Sequence, residues 1–344
     1  MVEITTSDGT TGLGEALLYR SSGVLESIEI LGKKILGEDP FDVEKIWEGM
    51  YREGANLPAI SGIETALWDI IGKKLGAPIY NLLGGKCRNR IRVYVDGFFR
   101  GATYVEEEYI KKALEAVRQG YTALKMDVDE PIPSARQLDR GISPRDLEYT
   151  VKMVKAVREA VGKEVELAVD CHGAFDVNTA IKIGRRLEEY DLLWIEDPVP
   201  LGNPAAMAKV SQAIQTPICT GELLNTRYEF RELLERQAAD IIMPDVARTG
   251  GILEMKKIAA LADTYYVSLA PHNMVGPVAT IATAHVCACI PNFLVMEFQL
   301  GDVPWRDKLL DAQVPIKDGY IELPKKPGLG VSLNMSEVEK HLAK

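Results

Sequence analysis

The chain has 344 residues, 47% of them hydrophobic, and its 40 Lys and Arg against 50 Asp and Glu give a net charge of −10. This acidic balance, without a basic run, argues against nucleic acid or an anionic membrane as a partner. The sequence shows no signal peptide or transmembrane run, and its five Cys show no CxxC spacing, so we expect a cytoplasmic protein with reduced thiols. The length exceeds a minimal (β/α) barrel by roughly 90 residues, which allows a second, smaller domain.

The first part of the chain predicts a small α+β domain. Residues 2–6 alternate and precede an Asp-Gly pair, which is typical of a β-hairpin. The Gly-Leu-Gly at residues 12–14 lacks the third glycine and the crossover helix of a dinucleotide-binding loop. A connector rich in Pro and Gly covers residues 77–90. Apolar periodicity predicts three helices, at 24–36, 43–53 and 60–76.

After residue 90 the pattern alternates strictly between strand and helix, which predicts a parallel sheet with right-handed crossovers. Short apolar runs that end on a functional group recur at intervals of about 25 residues, the length of one βα unit. Eight such strands would close an α/β barrel, a modified TIM barrel whose active site lies at the carboxyl ends of the strands. The predicted strands lie near 91–97, 122–128, 166–171, 192–197, 217–222, 239–245, 266–272 and 293–298. The predicted domains are a capping α+β domain at 1–90, the barrel at 91–315, and a C-terminal segment at 316–344 that returns to the capping domain.

Three carboxylates follow consecutive predicted strands and form a candidate metal site. These are Asp170, Glu196 and Glu222, which would repel one another strongly unless a cation neutralised them. Mg²⁺ favours oxygen ligands and keeps positions open for water and substrate, whereas zinc would favour more His or Cys. We therefore predict Mg²⁺ on these three side chains; the alternative is that they are scattered surface acids at loop starts.

Two histidines at strand ends are candidates for proton transfer. Asp245 and His272 end neighbouring strands, and a carboxylate bonded to one ring nitrogen would make the other nitrogen a general base. The alternative is that Asp245 caps a helix and His272 is a structural turn residue. His172 lies two residues beyond Asp170, faces the same side, and could donate a proton. His285, in an apolar helix, is expected to pack in the core.

The remaining candidates would bind the substrate. Lys125 could hold a substrate carboxylate from the opposite side of the barrel mouth, and Asp127 faces the same way. The alternative is that Lys125 is only a solvated charge at the barrel rim. Glu297 could hydrogen-bond the same carboxylate opposite the metal. The long polar segment at 129–145 is a candidate substrate loop because long loops at a barrel mouth usually contact the substrate.

Short motifs occur in order over nearly the whole chain. They are ISGIETALWD at 60–69, LLGG at 82–85, VDCHG at 169–173, WIEDP at 194–198, GE at 221–222, PD at 244–245, GG at 250–251, APH at 270–272 and KPGLG at 326–330. Together they resemble the enolase superfamily, and within it the mandelate racemase-like subgroup. The sugar-acid dehydratases of the galactonate dehydratase type are the most similar, since their third-strand carboxylate is also followed two residues later by a catalytic His.

This resemblance implies a Mg²⁺-dependent dehydratase of a small-molecule aldonic or aldaric acid, in a homo-oligomer. His272, oriented by Asp245, would remove the proton α to the carboxylate and give an enediolate. His172 would protonate the departing β-hydroxyl, so that the product is a 2-keto-3-deoxy acid. Glu297 would hydrogen-bond the substrate carboxylate as its oxygens gain charge. The resemblance also places Mg²⁺ on the three carboxylates named above.

Two departures from the subgroup keep alternatives open. Many members carry Lys-x-Lys after the second strand, where this chain has Lys125-Met126-Asp127. Losing the second Lys weakens a racemase or epimerase with two bases, although that activity remains an alternative, as does a non-catalytic enolase-like protein. The chain also starts at what resembles the third strand of the capping domain. Either the true start of the chain lies upstream, or the N-terminal strands of the cap and their mobile loop are missing and specificity is set elsewhere, by residues 51–60 and 129–145.

Overall fold

The computed structural model begins with an antiparallel hairpin followed by helices, as the sequence predicts. Helix α3 begins earlier than expected because Pro58 lies in its first turn, where the helix needs no backbone N–H donor. The elements are β1 (Val2–Thr5), β2 (Thr11–Gly14), α1 (Val24–Lys34), α2 (Val43–Arg52), α3 (Leu57–Leu75) and α4 (Ile79–Leu82). The structure describes residues 1–18, 22–129, 140–312, 314 and 316–342.

Helix α3 is the centre of this N-terminal region and is buried along most of its length. The hairpin strand β2 lies directly against it. A Cβ on Gly14 would lie 1.8 Å from the carbonyl oxygen of Gly62, so this approach is open only to glycine. The Gly-Leu-Gly at 12–14 therefore serves close packing of a strand on a helix.

The second region alternates strand and helix, and a strand occurs at each of the eight predicted positions. Most strands are shorter than predicted, because regular pairing stops before the chain turns toward the next helix. The strands are β3 (Arg90–Asp96), β4 (Ala123–Asp127), β5 (Glu166–Asp170), β6 (Ile195–Glu196), β7 (Ile218–Thr220), β8 (Ile241–Ile242), β9 (Ser268–Leu269) and β10 (Met296–Gln299). The helices are α5 (Glu106–Arg118), α6 (Pro144–Val161), α7 (Val177–Leu187), α8 (Pro204–Ser211), α9 (Arg227–Glu235), α10 (Ile252–Asp263) and α11 (Pro277–Cys289).

The strands β3 to β9 pair in sequence order and in parallel, and β10 pairs with β3. On its other side, the segment leading into β10 hydrogen-bonds to β9: the Leu294 amide donates to the Leu269 carbonyl, and the Glu297 amide donates to that of Pro271. One buried cluster collects apolar residues from these strands or from positions directly next to them, and it forms the interior. The ring order places the ends of β5 and β9 on opposite sides of β3, and β7 across from it.

Buried carboxylates of the N-terminal region bind the barrel helices. Glu64 of α3 accepts hydrogen bonds from the Ile252 and Leu253 amides at the start of α10. Glu15 accepts from the Gly276 and Ala279 amides at the start of α11. Because the first amides of a helix have no partner inside the helix, each carboxylate satisfies donors that burial would leave unpaired. The N-terminal region is thereby held in register with the second region.

The C-terminal segment contacts both regions. Strand β12 pairs antiparallel with β3, and the Leu329 amide donates to Asp69 of α3. His285 is fully buried in α11 and bonds the Tyr80 amide and the Leu329 carbonyl, which is the packing role expected for it. None of the described helices combines the length and apolar character needed to span a membrane. The remaining elements are β11 (Ile316–Lys317), β12 (Tyr320–Glu322), α12 (Met335–Val338) and 3₁₀ turns at Pro40–Asp42, Glu188–Tyr190, Arg306–Lys308 and Glu339–His341.

Candidate active site

A cavity of about 220 Å³ opens at the carboxyl ends of the barrel strands. Seven of the nine candidate residues line it. The other two, Glu196 and Asp245, lie directly behind the lining, where they contact Lys125 and His272. The residues that line the cavity are Lys125, Asp127, Asp170, His172, Glu222, His272 and Glu297.

Lys125 forms the floor of the cavity and is almost fully buried. Its Nζ lies 3.0 Å from Oδ2 of Asp170, 2.7 Å from Oε1 of Glu196 and 3.2 Å from Oε1 of Glu297. Burial lowers the pKa of Lys125, but Glu196 and Glu297 outweigh it and hold that pKa well above its usual value. Lys125 is therefore an ammonium that neutralises part of the charge of three carboxylates.

His272 follows β9 and is bound on both ring nitrogens. Its Nδ1 lies 2.6 Å from Oδ2 of Asp245, and its Nε2 faces the cavity, 3.3 Å from Oε2 of Glu222 and 3.7 Å from Oε2 of Glu297. Burial lowers the pKa of His272, but Glu297 and the hydrogen bond to Asp245 outweigh it and raise that pKa to about 10. Asp245 fixes the ring so that Nε2 is the nitrogen presented to a ligand.

His172 forms a second pair of the same kind across the cavity. Its Nδ1 lies 2.9 Å from Oδ1 of Asp129, and its Nε2 lies 3.7 Å from Oδ2 of Asp170. Burial lowers the pKa of His172, but Asp170 and Asp129 outweigh it and raise that pKa to about 11. The backbone of His172 has φ +46°, a strained conformation for a non-glycine residue. A hydrogen bond from its amide to Asp170 holds that conformation.

The other carboxylates of the cavity differ in pKa. Burial and the neighbouring Asp170 raise the pKa of Asp127 to about 8, and burial also raises the pKa of Glu196. Burial acts in the same direction on Asp170, but Lys125 and His172 outweigh it and lower that pKa. The pKa of Glu297 is lowered for the same reason, by Lys125 and His272 against burial. Cationic neighbours therefore keep Asp170 and Glu297 ionised, whereas at Glu196 burial and the charge of Asp170 outweigh the nearby Lys125.

The donor set fits a hard divalent cation. The nine candidate residues comprise six carboxyl groups, one Lys and two His, so with every group in its charged form their net charge is −3. The raised pKa values of Asp127 and Glu196 show how costly this negative charge is when no cation is bound. Oxygen-rich sets with excess negative charge are those that Mg²⁺ prefers. In the described residues, candidate ligand atoms of Asp127, Asp170 and His172 lie within 4.8 Å of one another. The predicted ligand set shares Asp170 with this group, while Glu196 binds Lys125 and Glu222 contacts His272.

Several polar residues at the site were missed in the sequence. Asp129 orients His172, and Trp194 donates through Nε1 to Oε2 of Glu196 over 3.0 Å. The backbone amide of Asn273 donates to Oε2 of Glu297 over 2.6 Å. Asp96 also lines the cavity, and it ends β3 just as the other candidate acids end their strands, so the same strand-end signal could have identified it.

The two segments expected to set specificity have different outcomes. Most of the candidate substrate loop at 129–145 lies outside the described residues, which resume at Arg140. In the described part of the chain, Leu17 lines the cavity from the N-terminal region, whereas residues 51–60 do not. Leu17 is therefore the contact that the N-terminal region makes with this cavity in the described chain.

The fold and the site define a class of protein: a modified barrel enzyme with acidic side chains and two Asp-oriented histidines at the mouth. The sequence matches the N-terminal domain of the mandelate racemase / muconate lactonizing enzyme family over residues 1–84, and the enolase C-terminal domain-like family over residues 108–338. The chain belongs to the mandelate racemase / muconate lactonizing enzyme family of the enolase superfamily. This confirms the resemblance and the fold class predicted from the sequence.

Characterised relatives and a solved structure agree. The chain is 39% identical to a D-xylonate dehydratase from Haloferax volcanii, in an alignment covering 99% of this chain and 85% of the relative. It is 34% identical to a D-galactonate dehydratase from Ralstonia pickettii, covering 97% and 88%. The crystal structure of a mandelate racemase/muconate lactonizing enzyme-like protein from Rubrobacter xylanophilus superposes with a TM-score of 0.92 at 42% identity, covering 99% and 93%. The prediction that this chain is an enzyme of the hydro-lyase class is thereby confirmed.

Proposed function

We propose that this enzyme dehydrates an aldonic or aldaric sugar acid to a 2-keto-3-deoxy acid and depends on Mg²⁺. The observation that carries the proposal is the pair of imidazoles, His272 and His172, that face one cavity, each oriented through Nδ1 by an aspartate. Dehydration of a hydroxy acid needs a base at Cα and an acid at the β-hydroxyl, and the two imidazoles supply both. Relatives that act on xylonate and galactonate support a sugar acid as the substrate.

In this proposal His272 is the base. Its Nε2 takes the α-proton, and the resulting imidazolium is stabilised by Asp245 on Nδ1. The α-proton of a carboxylate is very weakly acidic, so charge must be stabilised where it develops in the transition state. Glu297 is held by the backbone amide of Asn273 and is ionised in the empty cavity. It would take up a proton as the substrate carboxylate binds beside it, and would then donate a hydrogen bond to that carboxylate as its oxygens gain charge.

His172 is the acid. It donates a proton from Nε2 to the departing β-hydroxyl, which leaves as water. Asp129 keeps the remaining proton on Nδ1, so the ring is held with Nε2 toward the leaving group. The enol that remains tautomerises to the 2-keto-3-deoxy acid.

Asp170, Glu196 and Glu222 are proposed as the ligands of Mg²⁺, supported by the excess negative charge of the cavity. A bound Mg²⁺ stabilises the negative charge that builds up on the substrate carboxylate. Lys125 keeps Asp170 and Glu196 in place from the cavity floor and adds positive charge where the carboxylate would bind. Asp127, beside Asp170, lines the same wall and is proposed to contact the substrate.

The same geometry favours one second candidate. Two oriented imidazoles on opposite sides of a cavity also suit racemisation or epimerisation, in which one removes the α-proton and the other returns it. The two activities differ in their products, so one measurement separates them.

Proton NMR in D₂O tests the proposal, with purified protein, Mg²⁺ and a panel of aldonic and aldaric acids. We expect new methylene signals of a 3-deoxy product from at least one acid. Loss of the α-proton signal alone would establish the racemase or epimerase instead. EDTA should stop the reaction and Mg²⁺ should restore it, and a reaction indifferent to EDTA would contradict the metal site.

A further inference from the structure

A polar wall lies between the Lys125 and Glu297 sides of the cavity and has no role in the chemistry proposed above. Asp96 ends β3, Gln299 ends β10, and the two are direct partners in the parallel pairing of these strands. The Gln299 Nε2 donates to Oδ2 of Asp96 over 2.6 Å, and Gln299 is only 2% exposed. The Asp96 carboxylate is therefore fixed by a buried amide, with its other oxygen directed away from it.

Arg100 completes the wall from the turn that follows β3. Its Nη2 donates to the Oε1 of Gln299, so one amide holds both the carboxylate and the guanidinium. Gly97 has φ +70°, and a Cβ there would lie 2.9 Å from the guanidinium carbon of Arg100. Glycine at this position thus lets the guanidinium lie across the turn. The Lys112 ammonium donates to the carbonyl of Arg100 over 2.7 Å and fixes the backbone.

The wall has one unused acceptor and one unused donor. Among the described residues, Oδ1 of Asp96 and Nη1 of Arg100 are buried and have no hydrogen-bond partner. Both side chains line the active-site cavity. A buried polar atom without a partner destabilises the folded protein, and a ligand that bonded both atoms would remove that cost.

We propose that Asp96 and Arg100 bind a hydroxyl group of the substrate beyond its reacting carbons, and so act as specificity residues. A hydroxyl is the group that satisfies both atoms at once, because it donates to the carboxylate oxygen and accepts from the guanidinium. The inference rests on the proposed function, since it takes the substrate to be a polyhydroxy acid. The inference adds to the proposed function the residues that would recognise the polyol end of the substrate.

The position in the ring supports this assignment. Strand β3 lies across the barrel from β7, whose end carries Glu222, and the strands of His172 and His272 lie on either side. The Lys125 ammonium reaches away from its own strand to Asp170, Glu196 and Glu297, so a substrate carboxylate bound there lies on the cavity floor near the proposed Mg²⁺ ligands. With its reacting carbons between the imidazoles, the rest of the substrate would extend from the floor along the Asp96 wall. A second carboxylate there could accept from Arg100 but has no proton to donate to Oδ1 of Asp96, so the wall favours a hydroxyl and hence aldonic over aldaric acids.

The test is a thermodynamic cycle between protein and ligand. Binding of the best aldonic acid, and of analogues each lacking one hydroxyl beyond C3, is measured by calorimetry with Mg²⁺ in the His272→Asn background, which prevents turnover. In that background we expect one analogue to bind about 10- to 100-fold more weakly than the parent acid. Adding Asp96→Asn, which replaces the acceptor Oδ1 by a donor, should weaken the parent acid and remove most of this difference.

Two further variants keep the test decisive. Arg100→Met should remove the same difference, and it stands in for Asp96→Asn if that protein fails to fold. Asp307→Asn, which removes an exposed carboxylate away from the cavity, should leave the difference unchanged. Equal losses for every analogue in all of these proteins would overturn the inference. The inference would also be overturned if aldaric acids bound more tightly than aldonic acids and Arg100→Met weakened that binding, because Arg100 would then bind a carboxylate.

The two proposals fail in distinguishable ways. If the acids bind with the expected coupling between Asp96 and one hydroxyl, but NMR finds no product with the wild-type protein, the dehydratase proposal is wrong and the hydroxyl site stands. If NMR finds product but the cycle shows no coupling, the hydroxyl site is wrong and the dehydratase stands. Failure of every acid to bind would overturn the hydroxyl site directly.

Discussion

The two Asp–His pairs of the cavity share one design but differ in burial. The His272 and Asp245 side chains are 10% and 1% exposed, whereas those of His172 and Asp129 are 32% and 12% exposed. A base that must hold an abstracted proton gains from exclusion of water, and an acid that must be reprotonated in each cycle gains from access to water. The difference in burial therefore matches the proposed division of roles.

The largest effect is expected for the buried pair. His272→Asn should lower dehydration by about 10³-fold or more and also abolish exchange of the α-proton, because both need the base. Proton NMR in D₂O measures both in one sample. His341→Asn, in the C-terminal segment, is the matched control and should retain wild-type activity. Full activity of His272→Asn would show that the base is another residue.

The second effect separates the two histidines. His172→Asn should lower dehydration by about 10²-fold but leave α-proton exchange measurable, since the base remains. The loss should shrink for a substrate whose β-substituent leaves without protonation, such as fluoride. If His172→Asn abolished α-proton exchange as fully as His272→Asn does, the division into base and acid would be wrong.

The aspartates should follow their histidines, with a smaller effect at the exposed pair. Asp245→Asn should lower kcat by about 10²-fold, because an amide that donates to Nδ1 would favour the wrong tautomer of a ring largely shielded from solvent. Asp129→Asn should cost about tenfold, since solvent partly replaces its role. The measurement is kcat at saturating substrate. A larger loss for Asp129→Asn would reverse the ranking drawn from burial.

The smallest effect is the number of protons released when Mg²⁺ binds. In the metal-free protein the pKa of His272 is about 10 and that of His172 about 11, so both rings are protonated at pH 8. A Mg²⁺ bound nearby lowers both pKa values, so His272, whose pKa is the lower, gives up its proton first while His172 keeps the proton that it donates. Mg²⁺ binding should therefore release protons at pH 8, and its affinity should rise as pH increases toward the pKa of His272. Calorimetry in two buffers with different ionisation heats measures the release. His272→Asn should reduce it, and no release in the wild-type protein would contradict the raised pKa values.

The sequence determined much of the fold and the approximate site. Short apolar runs that end on functional groups predicted all eight barrel strands, because the period of a βα unit is local and leaves a regular spacing. The same rule collected Asp170, His172, Glu222, His272 and Glu297 around one cavity. The sequence also argued against a dinucleotide-binding loop at residues 12–14. The packing of these glycines against α3 became visible only in the tertiary structure.

Only the tertiary structure decided which of these side chains contact one another. The sequence predicted Lys125 at a substrate carboxylate but did not reveal that it also contacts three protein carboxylates, which come from three separate strands. Asp129 and the Asp96–Gln299–Arg100 wall could not be paired in advance, since their partners are distant in sequence and pairing depends on strand register. Sequence by itself thus determined the barrel and the kinds of groups at its mouth. Tertiary structure decided their pairing, because hydrogen bonds depend on distances that close only when the strands align.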